Sequence, residues 1–192
     1  RKDRGYDLTI VYFMDYQCPA CRQYTPDVAR AFAEDRRLRI IYRDTPIFGP
    51  RSEAAARAAI ASQFQGRHEA FHHALMTQKM PLDDAAIRAA AKKAGVDWAR
   101  LQSDLARRRD DIERQIVTNM ALSEAASLSG TPAFIVGDQL TDGALSYAEL
   151  KRQIADERKL LARPAAAAPQ PQPQPQPVEE PKPQAPQAKA AR

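Results

Sequence analysis

The stretch Leu8-Thr9-Ile10-Val11-Tyr12-Phe13-Met14-Asp15-Tyr16-Gln17-Cys18-Pro19-Ala20-Cys21 decides how this chain is read. Its first half is apolar and rich in β-branched and aromatic side chains, which predicts a strand over residues 7–14. From Cys18 to about Glu34, Val28, Ala31 and Phe32 recur at helical spacing. Cys18 and Cys21 therefore sit where a strand hands over to a helix. They are the only cysteines in the chain, so no second pair exists to staple the fold. Two sulfurs at this spacing can close a ring with each other, reopen it, and pass the disulfide on. Exchange chemistry is a better reading of the pair than scaffolding.

The position of each sulfur assigns it a part. Cys18 should lie at or just before the first helical turn, where free backbone N–H groups and the helix dipole favour negative charge. Its thiolate is stabilised there, which lowers its pKa below the free value of about 8.5. Pro19 suits the first helical position, which needs no N–H. Cys21, one turn further in, should be more buried and should resolve a mixed disulfide. Cys18 is thus the expected nucleophile and Cys21 its partner, with Pro19 and Ala20 between them tuning the pair.

Two other uses of such a pair fare worse. Zinc would need two more ligands, and the histidines are His68, His72 and His73. His68 and His72 share a helical face, but no second ligand pair stands at a zinc-finger spacing, so no metal is expected. Haem attachment needs a histidine after the second cysteine, where Arg22 stands. His72 and His73 read as surface or partly buried helix residues. Tyr16, Tyr24 and Phe48 could border a peptide groove or simply pack, and Trp98 reads as a core anchor.

Further along, residues 38–42 alternate as a second strand, and Pro46, Gly49 and Pro50 punctuate a loop. Helical patterns follow at 52–65 with Ser52 as cap, at 67–78, from Asp83 or Asp84 to the Gly95 stop, at 98–105 after Asp97, and at 110–128. Gly130-Thr131-Pro132 breaks the last of these. A short strand at 133–136, turns at Asp138-Gln139 and Asp142-Gly143 around a strand near Leu140, and a final helix opened by Ser146 and Glu149 complete the order. The order βαβ, helices, ββα defines an α/β chain with a thioredoxin fold and an inserted all-helical domain. The expected division is 1–50 for the first half of the thioredoxin domain, 51–128 for the helical insert, 129–162 for the second half, and 163–192 for a tail.

That tail holds nine of the fifteen prolines, and residues 169–177 alternate Pro and Gln. With no apolar face to bury, it is expected to stay disordered, largely polyproline II, as a spacer. The remainder is long enough to bury a full core. The formal net charge is +5, and the one basic triplet, Arg107-Arg108-Arg109, is followed at once by Asp110 and Asp111. No aromatic residue alternates with those arginines, so a solvated helix face fits and a nucleic-acid partner does not. No apolar run approaches the ~20 residues of a transmembrane helix. The chain starts Arg1-Lys2-Asp3 without an initiator Met, which is read as an exported protein whose leader or anchor lies outside this numbering.

The motif around Cys18-Pro19-Ala20-Cys21 resembles the DsbA-like family of thioredoxin-fold thiol–disulfide oxidoreductases, particularly its bacterial exported branch. So do Arg43-Asp44-Thr45-Pro46, Phe71-His72-His73-Ala74-Leu75-Met76 and Gly130-Thr131-Pro132-Ala133-Phe134-Ile135-Val136-Gly137. The likeness covers residues 8–154. It implies that Pro132 is a cis-proline beside the cysteines, and that Thr131 presents its backbone to an extended substrate as an added strand. It implies reduced or unfolded client proteins, a membrane redox partner that reoxidises or reduces the pair, no cofactor, and a periplasmic or otherwise extracytoplasmic setting. One departure stands out: where many relatives carry a buried Glu six residues before the first cysteine, this chain has Tyr12, which leaves the proton route at the second cysteine open.

The leading expectation is a protein disulfide oxidase that donates the Cys18–Cys21 disulfide to exported clients. A disulfide isomerase or reductase of the same fold is the first alternative, since Thr131 is typical of those branches. A non-catalytic envelope protein using the scaffold for binding is the second.

Overall fold

The computed structural model describes residues 5–162, so the expectations for the Pro/Gln tail fall outside the described residues. The first strand, β1 (Leu8–Met14), lies at the middle of a four-stranded sheet ordered β2-β1-β3-β4. It pairs in parallel with β2 (Leu38–Asp44), from Leu8 opposite Leu38 to Met14 opposite Asp44. A parallel neighbour requires a crossover, which α1 (Pro19–Glu34) supplies. On its other side β1 runs antiparallel to β3 (Ala133–Val136), which turns back into β4 (Gln139–Asp142). The last helix, α7 (Tyr147–Leu161), packs on α1 and on β1 and β3. This mixed sheet with flanking helices is a thioredoxin-like α/β fold.

Between β2 and β3 stand α2 (Pro50–Ser62), α3 (His68–Met76), α4 (Asp84–Lys93), α5 (Trp98–Arg107) and α6 (Arg109–Ala125). α2 is alanine-rich, and its Ala55, Ala56, Ala58, Ala59 and Ala61 are all buried. Small side chains let α3, α5 and α6 close on it from several sides, which is why its sequence shows a run rather than a stripe. The helix starts are as the sequence predicts at three places. Asp83 accepts the Ala86 N–H (2.8 Å), Asp97 accepts the Arg100 N–H (3.0 Å), and Ser146 with Glu149 forms a capping box.

Among the boundaries that differ from expectation, three carry a structural reason. β2 runs two residues past Tyr42, because Arg43 and Asp44 continue the ladder opposite Phe13 and Met14. α2 opens at Pro50 behind Gly49 (φ +86°), not at a Ser52 cap, and the Ser52 side chain is buried and used elsewhere. The long helix α6 ends at Ala125, ahead of Ser127 with φ +53°. Among the described residues no helix is long and apolar enough to cross a membrane.

One continuous core includes Ile10, Tyr12, Met14 and Phe134 of the sheet, Phe71 and Leu75 of α3, and both cysteines. Trp98, expected as an anchor, is only half-buried at the rim, with Arg88 over its ring.

Candidate active site

Sheet pairing brings two distant segments together. Phe13 lies opposite Ala133, so the residues just before β3 meet the loop that leaves the end of β1. The Thr131–Pro132 peptide bond there is cis. The Cys18 thiol donates to the Thr131 carbonyl oxygen at 3.2 Å, across 113 residues of sequence. Cys18 is the N-cap of α1, in extended conformation (φ −68°, ψ 120°), and Pro19 takes the first helical position. Its Sγ accepts the Cys21 backbone N–H at 3.3 Å, a capping bond made by sulfur in place of the usual oxygen. Both cysteines are free thiols. Both cysteines are buried, Cys21 fully and Cys18 at 2% exposure, with Cys18 the outer of the two at the helix end. All six residues singled out in the sequence, Cys18, Pro19, Ala20, Cys21, Thr131 and Pro132, thus belong to one locus.

The two sulfurs are pushed in opposite directions. The Cys21 thiol donates to Cys18 and favours its thiolate; burial opposes this, but the Cys21 N–H, the Thr131 side chain and the Ala20 N–H add to it. The Cys18 pKa is lowered to about 6. Burial pushes the Cys21 thiol far up, and its hydrogen bond to Cys18 adds to that. One sulfur is therefore anionic at neutral pH while the other holds its proton in apolar surroundings. Such a pair can attack a disulfide through Cys18, and as a disulfide it can release Cys18 as a good leaving group.

The loop that holds Cys18 is fixed by residues the sequence reading did not single out. Buried Asp15 accepts the N–H groups of Gln17 (2.6 Å), Ile47 (2.7 Å) and Phe48 (3.1 Å) and the Ser52 hydroxyl (2.6 Å). The Asp15 carbonyl accepts the Cys18 N–H (3.2 Å). An Asp two residues before an amide that needs a partner is the sequence signal for such an Asx turn. Arg22 donates to the carbonyls of Tyr16 (3.1 Å), Leu75 (3.0 Å) and Gln78, tying α1 to the end of α3. No local pattern announces this role, because two of its three acceptors are backbone atoms more than fifty residues away.

Of the histidines, one is placed differently from expectation. His72 is not at the surface: it is fully buried against Tyr42 and Tyr16, with Nδ1 3.3 Å from the Tyr16 hydroxyl. Burial holds its pKa well below 6.5, and the nearby His68 and His73 lower it further. His73 is half-buried. Tyr16 packs in the core, Tyr24 is half-buried, and Phe48 is 51% exposed. Among the described residues no group of three or more His, Cys, Asp or Glu side chains is arranged to hold a metal ion. Tyr12, at the position where a Glu was to be expected, is buried, with its hydroxyl near Cys21.

A thioredoxin-like sheet with a paired thiol at a helix start and a cis-proline against it defines a thiol–disulfide oxidoreductase. The chain belongs to the DSBA-like thioredoxin domain family, whose model matches residues 9–155. It is similar to a thioredoxin-like oxidoreductase from Silicibacter pomeroyi, with 35% identity and a TM-score of 0.76 over 81% of this chain and 88% of that one. It is also similar to the thiol-disulfide exchange protein α-DsbA2 from Wolbachia pipientis, with 28% identity and a TM-score of 0.77 over 81% and 84% of the two chains. A curated relative, a Na(+)/H(+) antiporter NhaA 1 of Salinispora arenicola, is 28% identical over 156 residues, which are 80% of this chain and 24% of that protein. The chain therefore spans about a quarter of the length of the curated relatives it matches.

Proposed function

We propose that the chain is a protein thiol–disulfide oxidase that acts outside the cytosol and passes its Cys18–Cys21 disulfide to reduced clients. The observation that carries this is the capped, ionised Cys18 sulfur. Whatever stabilises the reduced pair weakens the disulfide, and a Cys18 pKa of about 6 stabilises the reduced pair. A client thiolate attacks Cys18 Sγ, the Cys18–Cys21 bond breaks, and Cys21 leaves and takes a proton. A second client thiolate then attacks the client sulfur of the mixed disulfide, and Cys18 leaves as a thiolate. Two electrons pass from client to enzyme, and a membrane redox partner removes them.

In this reading Thr131 and Pro132 form the edge along which an extended client lies, and Pro19 and Ala20 set the potential of the ring. Residues 51–128 are an insert in the thioredoxin unit. An extracytoplasmic setting fits because donated disulfides persist there.

Equilibration with glutathione, together with refolding of a reduced client, tests the direction. An oxidase has an unstable disulfide, and its client oxidation disappears in Cys18→Ser. A very stable disulfide accompanied by insulin reduction would show a reductase instead. No exchange with glutathione would leave only a binding scaffold.

A further inference from the structure

Trp98, the chain's one tryptophan, opens α5 beside the exposed face of α4. A recess of about 590 Å³ lies there, lined by Ala85, Arg88, Ala89 and Lys92 of α4, by Val96 of the connecting turn and by Trp98. The four α4 residues fall at helical spacing and are all exposed, so they form one face. Two of the four are alanines, and little side chain fills the space in front of the half-buried indole. Small-molecule sites are concave, roughly 300–1,000 Å³ in volume, and apolar apart from a few placed polar groups. The recess has that make-up.

Its two charged groups are both cations, and neither is neutralised. Among the described residues no carboxylate comes within ion-pair distance of Arg88 or Lys92. Asp84 stands one turn before Arg88 on the same helix, the spacing at which such pairs form, yet the two do not pair. The arginines of α5 behave otherwise: Arg100, Arg107 and Arg108 all gather on Asp104, at 3.7–3.9 Å. Arg88 instead lies over the Trp98 ring, 5.7 Å from its centroid. A guanidinium held over an indole keeps the N–H groups at its edge for a carboxylate or phosphate. Lys92, one turn further along α4, adds a second positive charge on the same side.

We infer that this recess binds a small organic anion, a carboxylate on an alkyl or aromatic body. The carboxylate sits between Arg88 and Lys92, and the apolar body lies over Ala85 and Ala89 against Trp98. A cation meets like charge here, and a neutral molecule gains the apolar contact alone. The recess shares no residue with the exchange locus around Cys18, so binding here does not depend on the thiol chemistry.

Trp98 fluorescence reports the site directly, because no other tryptophan contributes. The full chain is titrated with octanoate, 1-octanol and octylammonium, which share one chain length and differ in charge. Octanoate should saturate the signal and bind about tenfold tighter than 1-octanol, the difference a charge-assisted hydrogen bond makes. Octylammonium should bind weakest. Arg88→Gln combined with Lys92→Gln should bring octanoate to the level of 1-octanol and leave 1-octanol itself unchanged. Ala89→Glu, which sets a carboxylate on the floor, should abolish octanoate binding. All three positions are exposed, so these variants should melt as the parent does and exchange disulfides at the parent rate.

Octanoate that binds no tighter than 1-octanol, or that produces no saturable change, would overturn the anion site. So would a preference for octanoate that survives Arg88→Gln/Lys92→Gln. Phosphatidylglycerol vesicles that capture the protein through Arg88 and Lys92 while free octanoate gives no response would also overturn it, because the face would then belong to a membrane surface.

Discussion

Tyr12 stacks flat on Phe134, with ring centroids 4.5 Å apart and planes 4° from parallel. Its hydroxyl is buried and, among the described residues, has no hydrogen-bond partner. Burial holds that hydroxyl un-ionised, well above its ordinary pKa of 10. A buried polar group without a partner gives no net stability. Tyr12→Phe should therefore change unfolding free energy by no more than about 1 kcal/mol, measured by denaturant unfolding of the reduced protein. It should also leave the Cys18 pKa in place, since Tyr12 is not among the groups that lower it. A loss well beyond that figure would mean that the hydroxyl has an acceptor. Cys18, Pro19 and Cys21 were legible in sequence because capping, the Pro position and the one-turn spacing are local rules. Tyr12 could be marked only as a departure from the family pattern, since its neighbours come from other elements.

At the scale of elements, one side chain joins the β1–α1 loop to the start of α2. Asp15 collects four hydrogen bonds, three of them from residues thirty or more positions away. Removing the carboxylate leaves the Ile47 and Phe48 amides without an acceptor and frees Ser52 from the loop. Asp15→Ala should cost about 3 kcal/mol and raise the Cys18 pKa as the loop loosens. Asp15→Asn, which keeps one good acceptor, should cost less. Matched unfolding curves and thiolate titrations check the order, and equal losses for both variants would contradict it. Ser52 was read as a helix cap because Ser before an alanine run is a good local signal. The structure gives the start to Gly49 and Pro50 and turns Ser52 inward, a tertiary demand that overrides the local one. The caps at Asp83, Asp97 and Ser146 face solvent, where nothing competes with the local rule, and there the sequence reading holds.

For the molecule as a whole, His72 and Cys18 are among the groups that make stability depend on pH, and both act with the same sign. Buried His72 is held neutral in the fold, whereas in the unfolded chain it takes a proton near pH 6.5. Its depressed pKa means that stability is intact above about 6.5 and falls as pH drops further. Cys18 adds to this only in the reduced protein. Its pKa of about 6, against about 8.5 unfolded, stabilises the fold above about 8.5, and that contribution is lost as pH falls through 6. The oxidised protein should thus lose melting temperature below pH 6.5 by an amount that His72→Gln reduces, and a slope unchanged in that variant would contradict the assignment. The overall architecture was readable because apolar runs and helix stops follow the chain in order, while the burial of His72 and the half-exposure of Trp98 depend on which helices meet. The most direct test of the central claim is thiolate absorbance near 240 nm, followed from pH 4 to 10 in reduced protein. One sulfur should ionise at about 6, the step should vanish in Cys18→Ser, and Cys21 should stay protonated throughout. Two sulfurs ionising together near 8.5 would contradict the account.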